Sequence, residues 1–183
     1  MPEIIKIRLT DAFKNMVIAK TRGQILARSM RGADANLVGT YGEQIIIEYL
    51  NLMGVKVDFC DMTTHDMDTD HGRVEVKTKE RTVAPEPWHD CTVPAYNHAH
   101  QAADLFVFVS LLGNGHGGDW RFDRAFIVGA INLDGLRRRA KLWKRGMVDE
   151  SNGWKPTIDC YNIKVADLIS INHAFIETDS RAG

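Results

Sequence analysis

Long hydrophobic runs are the first thing this chain lacks. No stretch approaches the roughly 20 apolar residues of a membrane-spanning helix, so no membrane partner is expected. The opening residues, MPEIIKIRLTDAF, lack the basic-then-apolar order of a secretory signal. Cysteine is scarce. Cys60, Cys91 and Cys160 are odd in number and far apart, which fits a reduced, intracellular (cytoplasmic) protein better than a disulfide framework. Internal repeats and low-complexity tracts are missing as well. The net charge is only −1, so the chain has no overall basic signature of nucleic-acid binding. At 183 residues one domain is expected, large enough for a sizeable core.

The charge that is present is unevenly placed. Residues 1–31 carry Lys6, Arg8, Lys14, Lys20, Arg22, Arg28 and Arg31 against Glu3 and Asp11. Residues 137–145 are basic without an acid, and residues 58–70 hold five aspartates without a Lys or Arg. An acidic pocket flanked by basic segments suits a metal site that also holds a polyanion, although two solvated helix faces would look the same.

The most informative stretch is Asp66 to Lys79, DMDTDHGRVEVKTK. Its second half alternates, so Arg73, Glu75, Lys77 and Lys79 share one face of a strand and Val74, Val76 and Thr78 the other. The valines are expected to pack inward and the charges to face out. Asp66, Asp68 and Asp70 share a parity in a preceding strand, and Thr69-Asp70-His71-Gly72 has turn chemistry. The expected hairpin brings an aspartate beside Glu75 and Lys77. Two carboxylates suit a hard divalent cation, and a neighbouring lysine can activate water or steady a charged transition state.

Around this hairpin the pattern predicts an α/β domain with a mixed central sheet flanked by helices. A short strand over 3–9 and a helix to about Lys20 precede a second helical piece over 24–31. A helix capped by Asp34 runs to a stop at Gly54, with Leu37, Tyr41, Ile45 and Leu52 on its apolar surface. Glu43 lies along part of that surface, and helical phase alone leaves open whether it faces the core or its wet edge. Strands are expected over 55–60, 63–68 and 73–82, then a loop from Val83 to Pro94 and a short helix over 95–103. Leu105 to Leu112 reads as a doubly covered central strand. A strand over 121–131, a basic helix from Gly135 to Lys144 and a strand over 157–163 complete the order. Within one domain, 1–33 reads as an N-terminal helical extension, 34–131 as the core and 132–183 as C-terminal helix and strand elements.

Asp66, eight intervening residues and Glu75-Val76-Lys77, preceded by the helical pair Gly42-Glu43, resemble the PD-(D/E)XK nuclease superfamily. The look is that of its small phage and mobile-element members. The resemblance implies a restriction-endonuclease-like fold and a Mg²⁺-dependent endonuclease, with Mn²⁺ as a substitute. It assigns Asp66, Glu75 and the Val76 carbonyl to the metal, Lys77 to the attacking water, and Glu43 to a further water or second ion. The pattern departs from the family in having Thr64-His65 before Asp66 rather than a proline. Hairpin length favours Asp66, with Asp68 as second choice, and the selection among three aspartates stays open.

DNA is the partner this resemblance implies, with a homodimer also compatible. Arg137, Arg138 and Lys141 are the candidate phosphate contacts. Trp88 and Tyr96 could stack on bases or cover the core. A junction resolvase or an exonuclease is the alternative within enzymes, and a DNA-binding module with an inactive nuclease core is the alternative outside them. Cys60, His65, His89, Cys91, His98 and His100 lack the tight pairs of zinc sites and read as structural or solvated.

Overall fold

Two sheets and two hydrophobic cores organise the computed structural model, which describes residues 1–23, 33–60, 64–95, 103–150 and 153–176. The strands in chain order are β1 (Ile5–Arg8), β2 (Val57–Phe59), β3 (Met67–Thr69), β4 (Gly72–Arg81), β5 (Asp90–Pro94), β6 (Leu105–Gly113), β7 (Phe122–Asn132), β8 (Lys141–Trp143) and β9 (Cys160–Lys164). The helices are α1 (Asp11–Gly23), α2 (Ala33–Leu52), α3 (Leu133–Arg139) and α4 (Ile171–Ile176). The fold is mixed α/β. Its central sheet has six strands in the order β1-β7-β6-β4-β3-β2, and only β4 and β6 pair in parallel. A second sheet has the order β5-β9-β8.

Alternation along β4 and β6 explains the two cores. Val74 and Val76 face the side on which Val107 and Val109 meet Leu37, Tyr41, Ile45 and Leu50 of α2. Phe106 and Phe108 face the other side, with Val93 of β5, Leu136 of α3 and Ile163 of β9. The central sheet is therefore covered on both faces, which is why β6 reads as an apolar run broken only by Ser110. Helix α2 stops where Gly54 adopts φ +81°, a left-handed cap that glycine takes without strain.

Several expectations change. The N-terminal segment is no appendage: β1 pairs with β7, and Leu9, Val17 and Ile18 lie in the first core. The loop from Val83 ends at β5, and α3 gives way to β8 after Arg139. Leu52 is exposed, so the buried stripe of α2 ends at Leu50. The expected helical pieces over 24–31 and 95–103, apart from Ala95 and Ala103, lie outside the described residues, as does Tyr96. No helix among the described residues is long and apolar enough to cross a membrane.

Candidate active site

The β3–β4 hairpin sets the register of the site. Its turn is Asp70-His71. The Thr69 hydroxyl donates to the Gly72 carbonyl at 2.7 Å and accepts from the His71 N–H at 3.2 Å. The ladder pairs Thr69 with Gly72, Asp68 with Arg73 and Met67 with Val74. Counting one residue further sets Asp66 opposite Glu75. Here the strands part. The Asp66 N–H still donates to the Val74 carbonyl at 3.0 Å, but the Val76 N–H donates to Asp66 Oδ2 at 2.7 Å. A side chain thus takes the bond that a longer strand would have made. Among the described residues, β4 beyond Val74 has no strand on that edge.

Glu75 and Lys77 do not face solvent, contrary to the sequence expectation, because the second core covers their face of the sheet. Their side chains are 7% and 17% exposed, and Lys77 Nζ donates to Glu75 Oε1 at 2.5 Å. Helix α2 crosses β4 on the opposite face at a close approach. A Cβ added to Gly42 would lie 1.8 Å from Thr78 Oγ1. The glycine lets the helix descend onto the strand, and the next residue is Glu43. Burial, then the charges of Glu75 and Glu43, push the Asp66 carboxyl well above the usual range; the Val76 N–H and Lys77 oppose them. Glu43, Asp66, Glu75 and Lys77 therefore share one electrostatic neighbourhood, drawn from α2, the approach to β3 and β4.

The ion pair carries a stability prediction. Lys77→Met would leave the buried Glu75 beside Asp66 and Glu43 without its ammonium, at an expected cost of about 3–5 kcal/mol. Thermal unfolding should show a lower Tm for Lys77→Met, partly restored by millimolar Mg²⁺ or Mn²⁺. An unchanged Tm would mean that the pair does not offset the acidic group.

The other expected residues fall differently. Asp68 stands opposite Arg73 and turns to His65 and Cys60, while Asp70 lies in the turn, 3.5 Å from His71. Val76 meets Asp66 through its N–H. Arg137 and Arg138 are exposed on α3, on the side of the sheet toward which Glu75 and Lys77 point. Lys141 is exposed on β8 with Nζ 3.8 Å from the Trp143 ring centroid. Trp88 is exposed after β4. Sequence reading gave no role to Lys79, although its parity with Lys77 was visible. Desolvation and the Arg81 guanidinium hold its ammonium below the usual lysine range. It extends the basic stripe along β4.

Three carboxylates against one ammonium form a donor set that fits a hard divalent cation. Their present spacing is open, since Glu75 is drawn to Lys77 and Asp66 to a backbone N–H. Among the described residues, the group of three His, Cys, Asp or Glu ligand atoms lying within 4.8 Å of one another is Cys60, His65 and Asp68. No protein-family model matches the chain, and no curated protein is significantly similar to it.

Proposed function

We propose that this chain is a metal-dependent deoxyribonuclease, an endonuclease of the PD-(D/E)XK kind that hydrolyses DNA phosphodiester bonds with Mg²⁺, or with Mn²⁺ in its place. The observation that carries this reading is that Asp66, bonded to the Val76 N–H, lies beside the Glu75–Lys77 pair, with Glu43 near enough to raise the Asp66 carboxyl. Burial and the neighbouring Glu75 and Glu43 charges hold the Asp66 carboxyl above its usual range, and a bound cation would offset that.

Asp66 and Glu75, with the Val76 carbonyl, would hold the cation, and Glu43 would hold a water or support a second ion. When bound, the cation stabilises negative charge on the phosphoryl and leaving oxygens. Lys77, whose ammonium donates to Glu75, would orient the attacking water and steady negative charge on the reacting oxygen, with the water's proton passing to solvent. The Val76 N–H holds Asp66 against β4, next to Glu75 and Lys77. Lys79 continues the positive stripe next to Lys77, where the phosphate backbone would run, and Arg137, Arg138 and Lys141 offer further phosphate contacts.

The test is a substrate panel. Purified chain is incubated with supercoiled plasmid, linear duplex, single strands and a four-way junction in Mg²⁺, Mn²⁺ or EDTA. Nicking of the closed plasmid with either cation, and none in EDTA, is expected. Cleavage confined to the junction makes the enzyme a resolvase, and cleavage confined to ends an exonuclease. Binding without cleavage under every condition would replace the nuclease with a binding module.

A further inference from the structure

We propose that Cys60, His65 and Asp68 form a second metal site, for a transition-metal ion of the zinc class, distinct from the carboxylate group and independent of the nuclease reading. The three side chains already converge. Cys60 Sγ donates to Asp68 Oδ2 at 3.0 Å, and His65 Nε2 lies 3.1 Å from Asp68 Oδ1. One ligand atom from each lies within 4.8 Å of the others. Bonds of about 2.0–2.3 Å in tetrahedral geometry put ligand atoms roughly 3.3–3.8 Å apart, so small side-chain adjustments suffice.

The surroundings of His65 fit a ligand. Its residue is 5% exposed, which removes the freedom to swing into water. The Thr64 hydroxyl lies 2.9 Å from Nδ1. With Nδ1–H donating to that oxygen, Nε2 presents its lone pair toward Cys60 and Asp68, the outer contact that commonly fixes a metal-bound imidazole. Two contacts inside the group are otherwise held by protons, one on the thiol and one on Nε2. A divalent ion replaces both and meets sulfur, nitrogen and oxygen at once. Thiolate and imidazole select zinc or cobalt over Mg²⁺, so the two sites call for different ions.

The site would act as a clip. Cys60 directly follows β2, Asp68 lies on β3, and the Cys60 N–H donates to the Asp66 carbonyl at 3.0 Å. Closing the group around an ion fixes the segment that carries Asp66 between two ligands, His65 and Asp68. No paired spacing announces this in the sequence, because Asp68 supplies the third ligand and the hairpin supplies the proximity.

The experiment is a Co²⁺ titration of the purified full chain after chelator treatment, followed by absorption. One equivalent is expected to give a thiolate-to-cobalt charge-transfer band with the visible bands of a tetrahedral ion, both resistant to excess Mg²⁺. Cys60→Ser, at a half-buried position, should lose the charge-transfer band and bind at least about a hundredfold more weakly. Asp66→Asn and Cys91→Ala should keep the band, which separates this site from the carboxylate group and from the other thiols. Zn²⁺ should raise the Tm of the parent and not of Cys60→Ser. Absence of a thiolate band in the parent, or its survival in Cys60→Ser, overturns the proposal.

Discussion

Asp66→Asn is expected to unfold at a higher temperature than the parent chain and to lose DNA cleavage by about a hundredfold or more. The two effects share one cause. The folded carboxyl of Asp66 holds its proton well above the usual range because of burial, Glu75 and Glu43. A raised folded value means that this group's contribution is fully present below its unfolded pKa, near 3.9, and is lost as pH rises toward the folded value. At neutral pH the parent carries that penalty. Asparagine does not, and its amide oxygen can still accept from the Val76 N–H. The gain in Tm should therefore be small near pH 4 and grow with rising pH. Each kcal/mol corresponds to about 2–4 °C in a chain of this size. Saturating Mg²⁺ or Mn²⁺ should narrow the gap by stabilising the parent alone. A lower Tm for Asp66→Asn at pH 7 to 8 would contradict the electrostatic account of the site.

Gly42→Ala is expected to destabilise the fold, although alanine is the better helix former. Alanine in place of a mid-helix glycine brings up to about 1 kcal/mol through propensity. Against this, the new Cβ would lie 1.8 Å from Thr78 Oγ1, 3.0 Å from its Cβ and 3.1 Å from its Cγ2. Turning the threonine moves the hydroxyl away but leaves the Cβ contact, so α2 must lift from β4. Overpacking of this kind costs about 1–3 kcal/mol, enough to exceed the propensity gain. Lifting α2 also shifts Glu43, so cleavage should fall more than stability. Thr78→Ala alone should be mild, and the pair should recover part of the loss in a double-mutant cycle. Equal or higher stability for Gly42→Ala would mean that α2 and β4 can separate freely there.

Local features of the fold were legible in the sequence. The turn at Asp70-His71 and strict alternation after it fix the hairpin register, and the register sets Asp66 opposite Glu75. The apolar run of β6 announced a strand covered on both faces. Glu43 was half legible: helical phase set it along part of the apolar stripe without deciding between core and wet edge, while the depth of α2 depends on Gly42 meeting Thr78 across the sheet. What escaped depends on distant pairing. A strand over 157–163 was legible and corresponds to β9, but β5 and β8 are three to five residues long and fell within an expected loop and an expected helix, so the second sheet was not. Without that second sheet, Glu75 and Lys77 look solvent-facing. The pairing of β1 with β7 is hidden for the same reason, since Ile5 meets Ile127. Cys60, His65 and Asp68 show no metal-binding spacing, because the hairpin rather than the spacing joins them.

The most direct test of the catalytic account compares initial rates of supercoiled-plasmid cleavage in Mg²⁺ for the parent chain, Asp66→Asn and Asp68→Asn. The register predicts collapse of the rate in Asp66→Asn, with the rate in Asp68→Asn remaining within about tenfold of the parent. Equal rates for Asp66→Asn and the parent, or collapse only in Asp68→Asn, would contradict it.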